Sequence, residues 1–565
     1  MRSLFLSLAA AVLLAGGCAD TAQVKAAESA KGMVSAADPR AAAAGVEMLK
    51  AGGNAVDAAV ATMLALTVVE QQSSGVGGGG YMVYSERGGA PVTYDGRETA
   101  PAAATPDWWL VNGQPMPFDQ AQPGGKSVGV PGNLRMVALA HKAHGKLPWA
   151  KLFEPAIRLA RDGFRITPRF HNALNNSKDT GALSPSARAM FYGADGNALP
   201  VGTLVKNAAF AAFLEKLAKF GPDSFYVGPN AQAIVAAVNG AQHNPSKMTL
   251  GDVSTYDPKP RQPVCGLYRG YRICGMGPSS SGGITVFATL KQLERFDLGA
   301  LGPNSPTAWH LIAESERLAY ADRDKYIGDS EFVPVPVAGM IDAGYLASRS
   351  ALISPDKAMT HAEAGTPPGA QPACIPAVQP ERGTSHFVAV DKWGDVVSET
   401  STIESPFGSG LVVNGYYLNN ELTDFSFMPA KDGCPIANRV EGGKRPRSSM
   451  SPTIVYGPDG KVRLAVGAAG GSTIPAQIIK AIIGVIDFKL TAQQALALPM
   501  IVAPGDRIFV ERGTFLESMA PELRAMGHDV ATLPPGTFKA NAIEWTGSGW
   551  AGAADPRSEG AAVSE

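Results

Sequence analysis

Residues 381–410 read ERGTSHFVAVDKWGDVVSETSTIESPFGSG, and this stretch decides the fold. Two runs rich in valine, serine and threonine flank a short polar segment around Trp393, which predicts two antiparallel strands joined by a turn. Thr384 and Thr402 lie equally far from Trp393, so the hairpin sets their side chains opposite each other, about 4.5 to 5.5 Å apart. Two hydroxyls in contact at a strand end suit the activation of a nucleophile. A structural Thr–Thr pair in a sheet has the same pattern, and both interpretations stay open at this point.

Upstream of this hairpin the chain has mainly helical patterns. Asp38 followed by Pro39 predicts the cap and first turn of a helix. Residues 54–70, NAVDAAVATMLALTVVE, are apolar on most faces and predict a buried helix. Amphipathic stretches from about residue 133 to 240 predict further helices, and a hairpin region is expected at 263–287.

Downstream, strand patterns return in PTIVYG and VRLAVGAAGG, and a helix is predicted in PAQIIKAIIGVIDF. Strands flanked by helices favour a layered α/β sandwich. Residues 351–383, rich in proline, alanine and glycine, predict an extended connection. Gly75, Gly77 and Gly80 match GxGxxG in form, but a helix precedes them and a strand follows, which excludes a dinucleotide fingerprint.

Charge and composition exclude several classes of function. The 565 residues carry 49 Lys and Arg against 50 Asp and Glu, without long runs of either sign, so nucleic acid is not an expected partner. No HExxH motif or paired-cysteine zinc spacing occurs. The sequence therefore predicts no metal and no cofactor, and a small molecule or peptide as the substrate.

The first residues, MRSLFLSLAAAVLLAGGC, predict a secretory signal over residues 1–18. Small residues directly before Cys18 resemble a bacterial lipoprotein signal, although Ala15 stands where that signal usually has leucine. Two outcomes stay open: a lipid anchor on Cys18, or ordinary cleavage and a soluble exported protein. Either way we expect a periplasmic protein, with residues 19–33 as a tether.

Four further cysteines predict two disulfides in an oxidising compartment. A turn at Arg269 and Gly270 would place Cys265 opposite Cys274, close enough to bridge. Free buried thiols remain the alternative. The second bridge, between Cys374 and Cys434, follows by elimination only.

Several ordered motifs resemble one family, the gamma-glutamyltranspeptidases, which are N-terminal-nucleophile hydrolases. They are GTSHF at 383–387, PFGSG at 406–410, DGRETAP at 95–101, GPSSSGG at 277–283, AYADRDKYIGD at 319–329, NNELTDF at 419–425, KRPRSSMSPT at 444–453, GAAGGS at 467–472 and ADPRS at 554–558. The resemblance implies a four-layer αββα sandwich. It also implies a precursor that cuts itself between Gly383 and Thr384, into a large subunit, 34–383, and a small one, 384–565.

The resemblance also assigns catalytic roles. Thr384 would be the nucleophile, and its freed α-amine, with a reference pKa of about 7.7 to 8.0, would be the base. Thr402 would orient the Thr384 hydroxyl. In VRLAVGAAGGSTIPAQIIK a strand runs through glycines into a helix, and the resemblance makes Gly470 and Gly471 the oxyanion hole.

A γ-glutamyl group carries a carboxylate and an ammonium, and the resemblance implies residues for each. Arg97 offers a planar fork to the carboxylate, and Ser448 and Ser449 offer hydroxyls. Glu421 and Asp424 offer acceptors to the ammonium. The implied substrates are glutathione and other γ-glutamyl compounds, with water or amino acids as acceptors.

Two departures from the family pattern leave the substrate and the acceptor open. Glu404 stands where many transpeptidases have asparagine as a ligand of the amine. The stretch 424–444, a lid in relatives, lacks tyrosine and carries Cys434. Two rivals remain: an acylase of the same superfamily acting on glutaryl or cephalosporin side chains, and a non-catalytic envelope lipoprotein.

Overall fold

The computed structural model describes residues 28, 29, 31–377, 380–534, 536 and 538–565. Cys18 and the predicted signal, 1–18, lie outside the described residues. The predicted tether, 19–33, is wrong at its end, because regular strands begin inside it, at Glu28–Ser29 and at Met33. Both strands pair with strands near the C-terminus, which the local composition of 19–33 does not reveal.

Two seven-stranded antiparallel sheets form the centre of the described chain, one with the hairpin between Thr384 and Thr402 and the other with the strand that leads to Gly470. Their strands in chain order are β1 (Glu28–Ser29), β2 (Met33–Ala36), β3 (Gly79–Ser85), β4 (Val92–Asp95), β5 (Lys259–Arg261), β6 (Val264–Tyr268), β7 (Tyr271–Gly275), β8 (Ser385–Val390), β9 (Val396–Thr402), β10 (Thr453–Tyr456), β11 (Val462–Ala469), β12 (Lys539–Trp545), β13 (Trp550–Ala554) and β14 (Ala561–Ser564). The first sheet has the order β14-β2-β8-β9-β3-β4-β5, and the second has the order β1-β13-β12-β11-β10-β7-β6.

The longer helices pack against the two sheets or against one another. They are α1 (Pro39–Lys50), α2 (Ala55–Val69), α3 (Asn133–His144), α4 (Glu154–Asp162), α5 (Pro168–Asn176), α6 (Ala208–Phe220), α7 (Pro229–Asn239), α8 (Gly282–Leu293), α9 (Pro306–Tyr326), α10 (Ala343–Ser350) and α11 (Ile474–Ile486). Asp38 caps α1, as predicted, and Asn54 closes a capping box with Asp57 at the start of α2. Every residue of α2 is buried, in agreement with its apolar sequence.

Shorter elements complete the described chain. A small sheet contains Ile501–Val502, Arg507–Glu511 and Asp529–Leu533. Two-stranded ladders join Leu110–Val111 to Gln114–Pro115, Phe164–Arg165 to Leu204–Val205, Val412–Val413 to Tyr416–Tyr417, and Ala430–Lys431 to Cys434–Pro435. Short helices span Phe118–Ala121, Lys178–Gly181, Pro185–Phe191, Asp223–Tyr226, Leu250–Ser254, Leu298–Leu301, Val337–Met340, Ala492–Ala497, Phe515–Ser518 and Ala520–Ala525, and 3-10 turns span Gly125–Ser127, Trp149–Phe153, Glu421–Asp424 and Gly471–Thr473.

The alternation of side chains along β8 determines what each face contacts. Phe387 and Ala389 join the core beneath α1 and α2, whereas Val388 and Val390 join a cluster with residues of the second sheet. Strand β8 contacts β11 and β12, while α8 and α11 pack on the second sheet. This mixed α/β architecture with several antiparallel sheets confirms the α/β part of the predicted fold.

The expected hairpin region, 263–287, is correct only in its first half. Strands β6 and β7 form the hairpin, but α8 begins at Gly282. The stretch is buried over nearly all its length, so its apolar pattern did not distinguish a helix from a strand. Among the described residues, no helix is both long and apolar enough to cross a membrane.

Candidate active site

The hairpin of β8 and β9 brings two threonine hydroxyls together. Ser385 lies opposite Ser401, the register expected from the sequence. The Thr384 hydroxyl donates to Thr402 Oγ at 3.1 Å, and the same Oγ accepts the backbone N–H of Glu404 at 2.8 Å. Both threonines are buried. The Thr384 hydroxyl therefore has a fixed direction.

The backbone at Thr384 is strained. Gly383 has a φ of +53°, which glycine adopts freely, but Thr384 has a φ of +91°. Such angles are rare for a β-branched residue and cost on the order of 1 to 3 kcal/mol. A Cβ on Gly383 would lie 1.5 Å from the Glu404 carbonyl oxygen, so glycine is required at that position. On the other side, the Thr384 N–H donates to the Ser73 carbonyl at 3.2 Å.

The glycine turn between β11 and α11 reaches this bond. The Gly470 N–H donates to the Gly383 carbonyl oxygen at 3.1 Å. Gly471 has a φ of +58°, and its Cα lies so close to Glu381 that a Cβ would be 2.1 Å from the Glu381 carbonyl oxygen. One backbone donor is thus aimed at the carbonyl before Thr384, with Gly471 beside it.

All six side chains predicted to bind substrate line one space, here called the charged cavity. Its walls are Arg97, Glu381, Arg382, Thr384, Thr402, Glu404, Glu421, Asp424, Ser448, Ser449, Met450, Gly471 and Ile474. These residues come from segments far apart in sequence. The cavity therefore combines Thr384, Thr402 and one of the two predicted glycines with every predicted binding residue.

Arg97 is buried in the acidic wall of the charged cavity. Its guanidinium contacts Glu421 and Asp424, and it donates to the carbonyls of Pro446 at 3.1 Å and Arg447 at 3.0 Å. Four of its five N–H groups are therefore engaged. In this structure Arg97 holds two carboxylates at the cavity wall instead of presenting a free fork.

Burial raises the pKa of both Glu421 and Asp424, and the Arg97 charge opposes this rise. Glu98, which the sequence analysis did not single out, lies next to them, and burial raises its pKa to about 8. The quoted motif DGRETAP contains Glu98, so the signal was present in the sequence. Several carboxyl groups share one arginine here, which favours an additional cation.

Glu404 lies next to the segment that precedes Thr384, and its backbone carbonyl oxygen is close to Gly383. Its carboxylate accepts the Asn420 side-chain amide at 2.8 Å and the Arg382 backbone N–H at 2.9 Å, and it also contacts the Ser405 hydroxyl. Burial raises the pKa of Glu404. The carboxylate of Glu404 therefore already accepts an N–H donor from the segment ahead of Thr384.

Two arginines missed by the sequence analysis lie behind Ser449. Arg323 Nη2 donates to Glu381 Oε1 at 2.8 Å and to Ser449 Oγ at 2.5 Å. Arg447 Nη2 lies 3.1 Å from Asp324 Oδ1. Both arginines stand inside the motifs AYADRDKYIGD and KRPRSSMSPT, but the sequence did not reveal that they meet.

A buried network lies beneath the start of β8. Lys539 Nζ contacts the two Glu70 oxygens at 2.8 and 3.0 Å, and the Ser385 hydroxyl donates to Glu70 at 2.5 Å. Burial lowers the pKa of Lys539 to about 8. This network supports the residue that follows Thr384. No motif or spacing in the sequence indicates this network.

A second space, here called the polar cleft, opens on the other side of Thr384. It measures about 640 Å³ and reaches Gly383, Gly470 and one face of α5. Arg169, Asn172, Ala173 and Asn176 form that face at helical spacing. The bond before Thr384 thus separates a charged cavity from a larger cleft with amide side chains.

The four cysteines within the described residues form two bridges. Cys265 lies opposite Cys274 in the β6–β7 hairpin, and these two are joined. Cys374 is joined to Cys434, which links the connection before Thr384 to the stretch 424–444. Neither bridge contributes a side chain to the charged cavity. A cluster of histidine, cysteine or acidic residues fit to hold a metal is not found in the part of the chain that the structure describes.

Comparison with known proteins agrees with this geometry. The profile of the family described as Gamma-glutamyltranspeptidase matches residues 41–564. The chain belongs to the gamma-glutamyltranspeptidase family. It is 36% identical to a glutathione hydrolase proenzyme of Bacillus subtilis over 545 residues, 94% of this chain and 91% of that protein.

Acylases have nearly the same sequence identity to this gamma-glutamyltranspeptidase family member as the glutathione hydrolase proenzyme has. An acylase ACY 1 proenzyme of Pseudomonas sp. strain V22 is 35% identical over 96% of this chain and 95% of its own length. The structure of a cephalosporin acylase from Bacillus halodurans superimposes with a TM-score of 0.84 and 27% identity, covering 98% of this chain and 99% of the acylase chain. The predicted family membership is confirmed, and with it the prediction of an enzyme.

Proposed function

We propose that this enzyme is a self-cleaving threonine hydrolase that transfers the γ-glutamyl group of glutathione or related amides to Thr384, and then to water or an amino acid. The observation that carries the proposal is the set of contacts at one peptide bond. The Gly383 carbonyl accepts the Gly470 N–H, and the adjacent Thr384 hydroxyl is bonded to Thr402. Family membership, and relatives named glutathione hydrolase proenzymes, support the substrate class and a precursor form.

Self-cleavage begins when Thr384 Oγ attacks the Gly383 carbonyl carbon, while the Gly470 N–H stabilises the oxyanion. An ester C–O bond forms as the peptide C–N bond breaks, and the hydroxyl proton moves to the Thr384 nitrogen. Water then hydrolyses the ester, leaving a carboxylate on Gly383 and a free hydroxyl and amine on Thr384. Cleavage relieves the backbone strain at Thr384, because its positive φ is no longer imposed once the Gly383–Thr384 bond is broken. This relief favours cleavage.

Acyl transfer uses the same groups in a second round. Thr384 Oγ attacks the γ-glutamyl carbonyl carbon. The freed α-amine of Thr384, with a reference pKa of about 7.7 to 8.0, takes the hydroxyl proton during this attack. The amine of the leaving group takes that proton as it departs. Water or an acceptor amine then attacks the γ-glutamyl ester on Thr384. Thr402 keeps the hydroxyl oriented in both half-reactions.

Recognition of the acyl group follows from the charges around the cavity. Arg97 is shared by Glu98, Glu421 and Asp424, and Glu404 adds a further buried carboxyl group to the cavity wall, so a substrate ammonium supplies positive charge that these carboxylates lack. Ser448 and Ser449 supply hydroxyls on the opposite wall. The carboxylates therefore favour an α-amino acyl group over a plain dicarboxylic one.

The finer architecture and the processing are part of the same proposal. We assign the two packed sheets and their helices to the four-layer αββα sandwich of N-terminal-nucleophile hydrolases. The small subunit is 384–565, and the large subunit is 34–383 together with the segment that remains ahead of it after signal cleavage. We propose export to the periplasm, with lipidation of Cys18 or ordinary signal cleavage as the two outcomes.

Purification of the exported protein from cells tests this proposal directly. Wild-type protein is expected to give two fragments, one starting at Thr384 by mass measurement, and to release γ-glutamyl anilide product. Thr384→Ala is expected to remain one chain and to lose more than about 10⁴-fold in rate, as nucleophile removal does in related mechanisms. Thr384→Ser keeps a hydroxyl and should retain part of both activities. A fully active enzyme that is intact at residue 383 would contradict the mechanism, and the mass of the large fragment reports the fate of Cys18.

A second candidate, an acylase acting on glutaryl or cephalosporin side chains, is favoured by the similarity to the Bacillus halodurans and Pseudomonas acylases. It would use Thr384, Thr402 and the glycine turn in the same way. Glutaryl lacks the ammonium, so it gains nothing from Glu404, Glu421 and Asp424. Faster hydrolysis of glutaryl anilide than of γ-glutamyl anilide would favour the acylase.

A further inference from the structure

A buried ion pair, Glu70 with Lys539, lies beneath the start of β8 and has no part in the mechanism above. The two side chains are 5% and 1% exposed, and Lys539 Nζ lies 2.8 and 3.0 Å from the two Glu70 oxygens. Glu70 caps the C-terminus of α2, and Lys539 begins β12. Burial costs both charges their hydration, so such a pair adds little to stability. Its position next to Thr384 suggests a role in the reaction.

Glu70 holds the peptide group that binds the Thr384 nitrogen. The Glu70 carbonyl oxygen accepts the Ser73 N–H at 2.9 Å, and the Ser73 carbonyl oxygen accepts the N–H groups of Thr384 and Ile403, both at 3.2 Å. The Glu70 carboxylate accepts the hydroxyl of Ser385, the residue after Thr384. Cleavage would turn the Thr384 nitrogen into the α-amine. Glu70 therefore fixes the position of the proposed base through two neighbours.

Lys539 connects this arrangement to the glycine turn. Its Nζ lies 3.4 Å from both Ser73 Oγ and Ser385 Oγ. In the second sheet Lys539 pairs with Ala469, which directly precedes Gly470. One lysine thus contacts the residues that hold the Thr384 nitrogen and also pairs with the strand that leads to the oxyanion donor.

The ion pair places two opposite charges near a nitrogen whose protonation decides its use. A neutral α-amine can take the hydroxyl proton of Thr384, whereas a protonated amine cannot. A lone carboxylate nearby would favour the protonated amine, but the charge of Lys539 balances that of Glu70. Burial lowers the pKa of Lys539 to about 8, and the attraction of Glu70 opposes this fall. The carboxylate thus helps the lysine to keep its charge at neutral pH.

Other charged groups surround the same region. Arg169 of α5 and Asp38, the cap of α1, act on Lys539 less strongly than Glu70 does. On β8, burial lowers the pKa of His386 to about 3, so this side chain is neutral. The two spaces beside Thr384 contribute the charged groups of Arg97, Glu404, Glu421, Asp424, Arg557 and Glu559, besides Glu381 and Arg382 of the segment before the cleavage bond.

The Glu70–Lys539 pair differs from these groups in its contacts. Within the described residues, only the side chains of Glu70 and Lys539 bond to the hydroxyls of Ser73 and Ser385. Both serines border the Thr384 nitrogen, one in the chain and one through its carbonyl. A change of charge in this pair should therefore act on the α-amine while the other groups stay in place.

We propose that Glu70 and Lys539 are positioning residues of the mature enzyme, which hold the α-amino nitrogen of Thr384 and whose opposite charges balance, so that Glu70 does not favour the protonated amine. This inference rests on the proposed function, because it concerns the base that cleavage would release. Both residues act through Ser73 and Ser385, without contact with the reacting atoms.

The pH profile of kcat/KM for γ-glutamyl anilide tests this role, because its acid limb reports the protonation of the base in the free enzyme. Lys539→Met leaves the Glu70 carboxylate unbalanced. The acid limb should then move to higher pH by roughly 0.5 to 1.5 pH units, the size expected for one partly buried charge at about 8 Å. Lys539→Gln removes the charge but keeps a hydrogen-bond donor for Glu70, so it should show the same displacement even if Lys539→Met does not fold.

A second substitution separates charge from packing. Adding Glu70→Gln to Lys539→Gln removes the remaining charge, and the acid limb should return to its wild-type position. Lys480→Met is the matched control, since it changes another buried lysine, which donates to two backbone carbonyls of the described chain. This control should leave the acid limb in place.

An acid limb at the same pH in wild type and in both Lys539 variants would overturn the inference. So would a displacement that persists after Glu70→Gln is added, because the effect would then come from packing. If Lys539→Gln is not cleaved, rescue of cleavage by Glu70→Gln supports the balance of charges, and failure of rescue overturns it. Wild-type enzyme that stays uncut and does not hydrolyse γ-glutamyl anilide would instead defeat the proposed function.

Discussion

The two spaces on either side of Thr384 differ in what fills their walls. The charged cavity is narrow, dense in carboxylates and arginines, and already entered by Glu381 and Arg382. The polar cleft is wide, and its walls combine the α5 amides Asn172 and Asn176 with the half-buried charges of Arg169, Arg557 and Glu559. Charge discriminates strongly in a narrow buried space, whereas neutral amides and water-screened charges discriminate weakly. We therefore expect the enzyme to be selective for the acyl group and more tolerant of the leaving group or acceptor.

The largest expected effect on selectivity comes from Asp424→Asn, which removes one carboxylate from the charged cavity. Loss of one carboxylate should raise KM for γ-glutamyl anilide roughly 10- to 100-fold, the range for a charged hydrogen bond. Glutaryl anilide has no ammonium and should be affected less, so kcat and KM for both substrates measure the effect. Asp529→Asn, which removes an exposed carboxylate paired with Arg507, is the control. Equal losses on the two anilides would mean that Asp424 does not meet the ammonium.

A smaller effect is expected on the pH dependence of stability when Glu98, next to the carboxylates of the charged cavity, is changed to glutamine. It tests whether burial in this cavity alters the protonation of a carboxyl group. Burial raises its pKa to about 8 from 4.5, so the folded enzyme keeps a proton that the unfolded chain releases. The stability from this proton is complete below pH 4.5 and is lost as pH rises through 8. Glu98→Gln should therefore weaken the fall of the melting temperature across this window. The change is expected to be on the order of 1 kcal/mol or more, since one pKa unit is about 1.4 kcal/mol.

Denaturation of the purified mature enzyme at pH 5, 6, 7 and 8 checks this expectation. Glu559→Gln alters a carboxylate of the polar cleft and is the comparison on the other side of Thr384. If Glu98→Gln and wild type lose stability in parallel over the whole range, Glu98 does not hold the extra proton.

Contacts between residues close in sequence could be predicted, whereas contacts between residues far apart in sequence could not. The pairing of Thr384 with Thr402, and of Cys265 with Cys274, depends on one turn each, so counting residues from the turn was enough. The helix that begins at Gly282 was assigned to a hairpin region because its apolar sequence fits both structures. Local patterns fixed registers better than element types in buried stretches.

The charged cavity could be predicted only through family motifs, and only in part. Six binding residues were named correctly as neighbours, but the contact of Arg97 with Glu421 and Asp424 was not foreseen. Arg323 meets Ser449 across 126 residues, and no spacing rule links them. Lys539 meets Glu70 across 469 residues. Such contacts arise from the packing of whole sheets and are absent from any local pattern.

The smallest expected effect is in the polar cleft, and it tests whether that side is as tolerant as its composition suggests. Asn172→Ala removes one amide from the α5 wall, without touching a residue of the charged cavity. A neutral hydrogen bond is worth about 0.5 to 1.5 kcal/mol, so the partition of the acyl enzyme between an amino acid acceptor and water should change by about 2- to 10-fold. Product analysis at fixed acceptor concentration measures this ratio, with Lys216→Ala as a surface control, an exposed residue of α6 that does not line the cleft. Acyl transfer to Thr384 precedes the choice of acceptor, so kcat/KM for the donor should change by no more than about 2- to 10-fold, through contact with the leaving group alone. A loss of donor kcat/KM equal to that in Asp424→Asn would show that the two spaces act as one site, and the contrast drawn between them would fail.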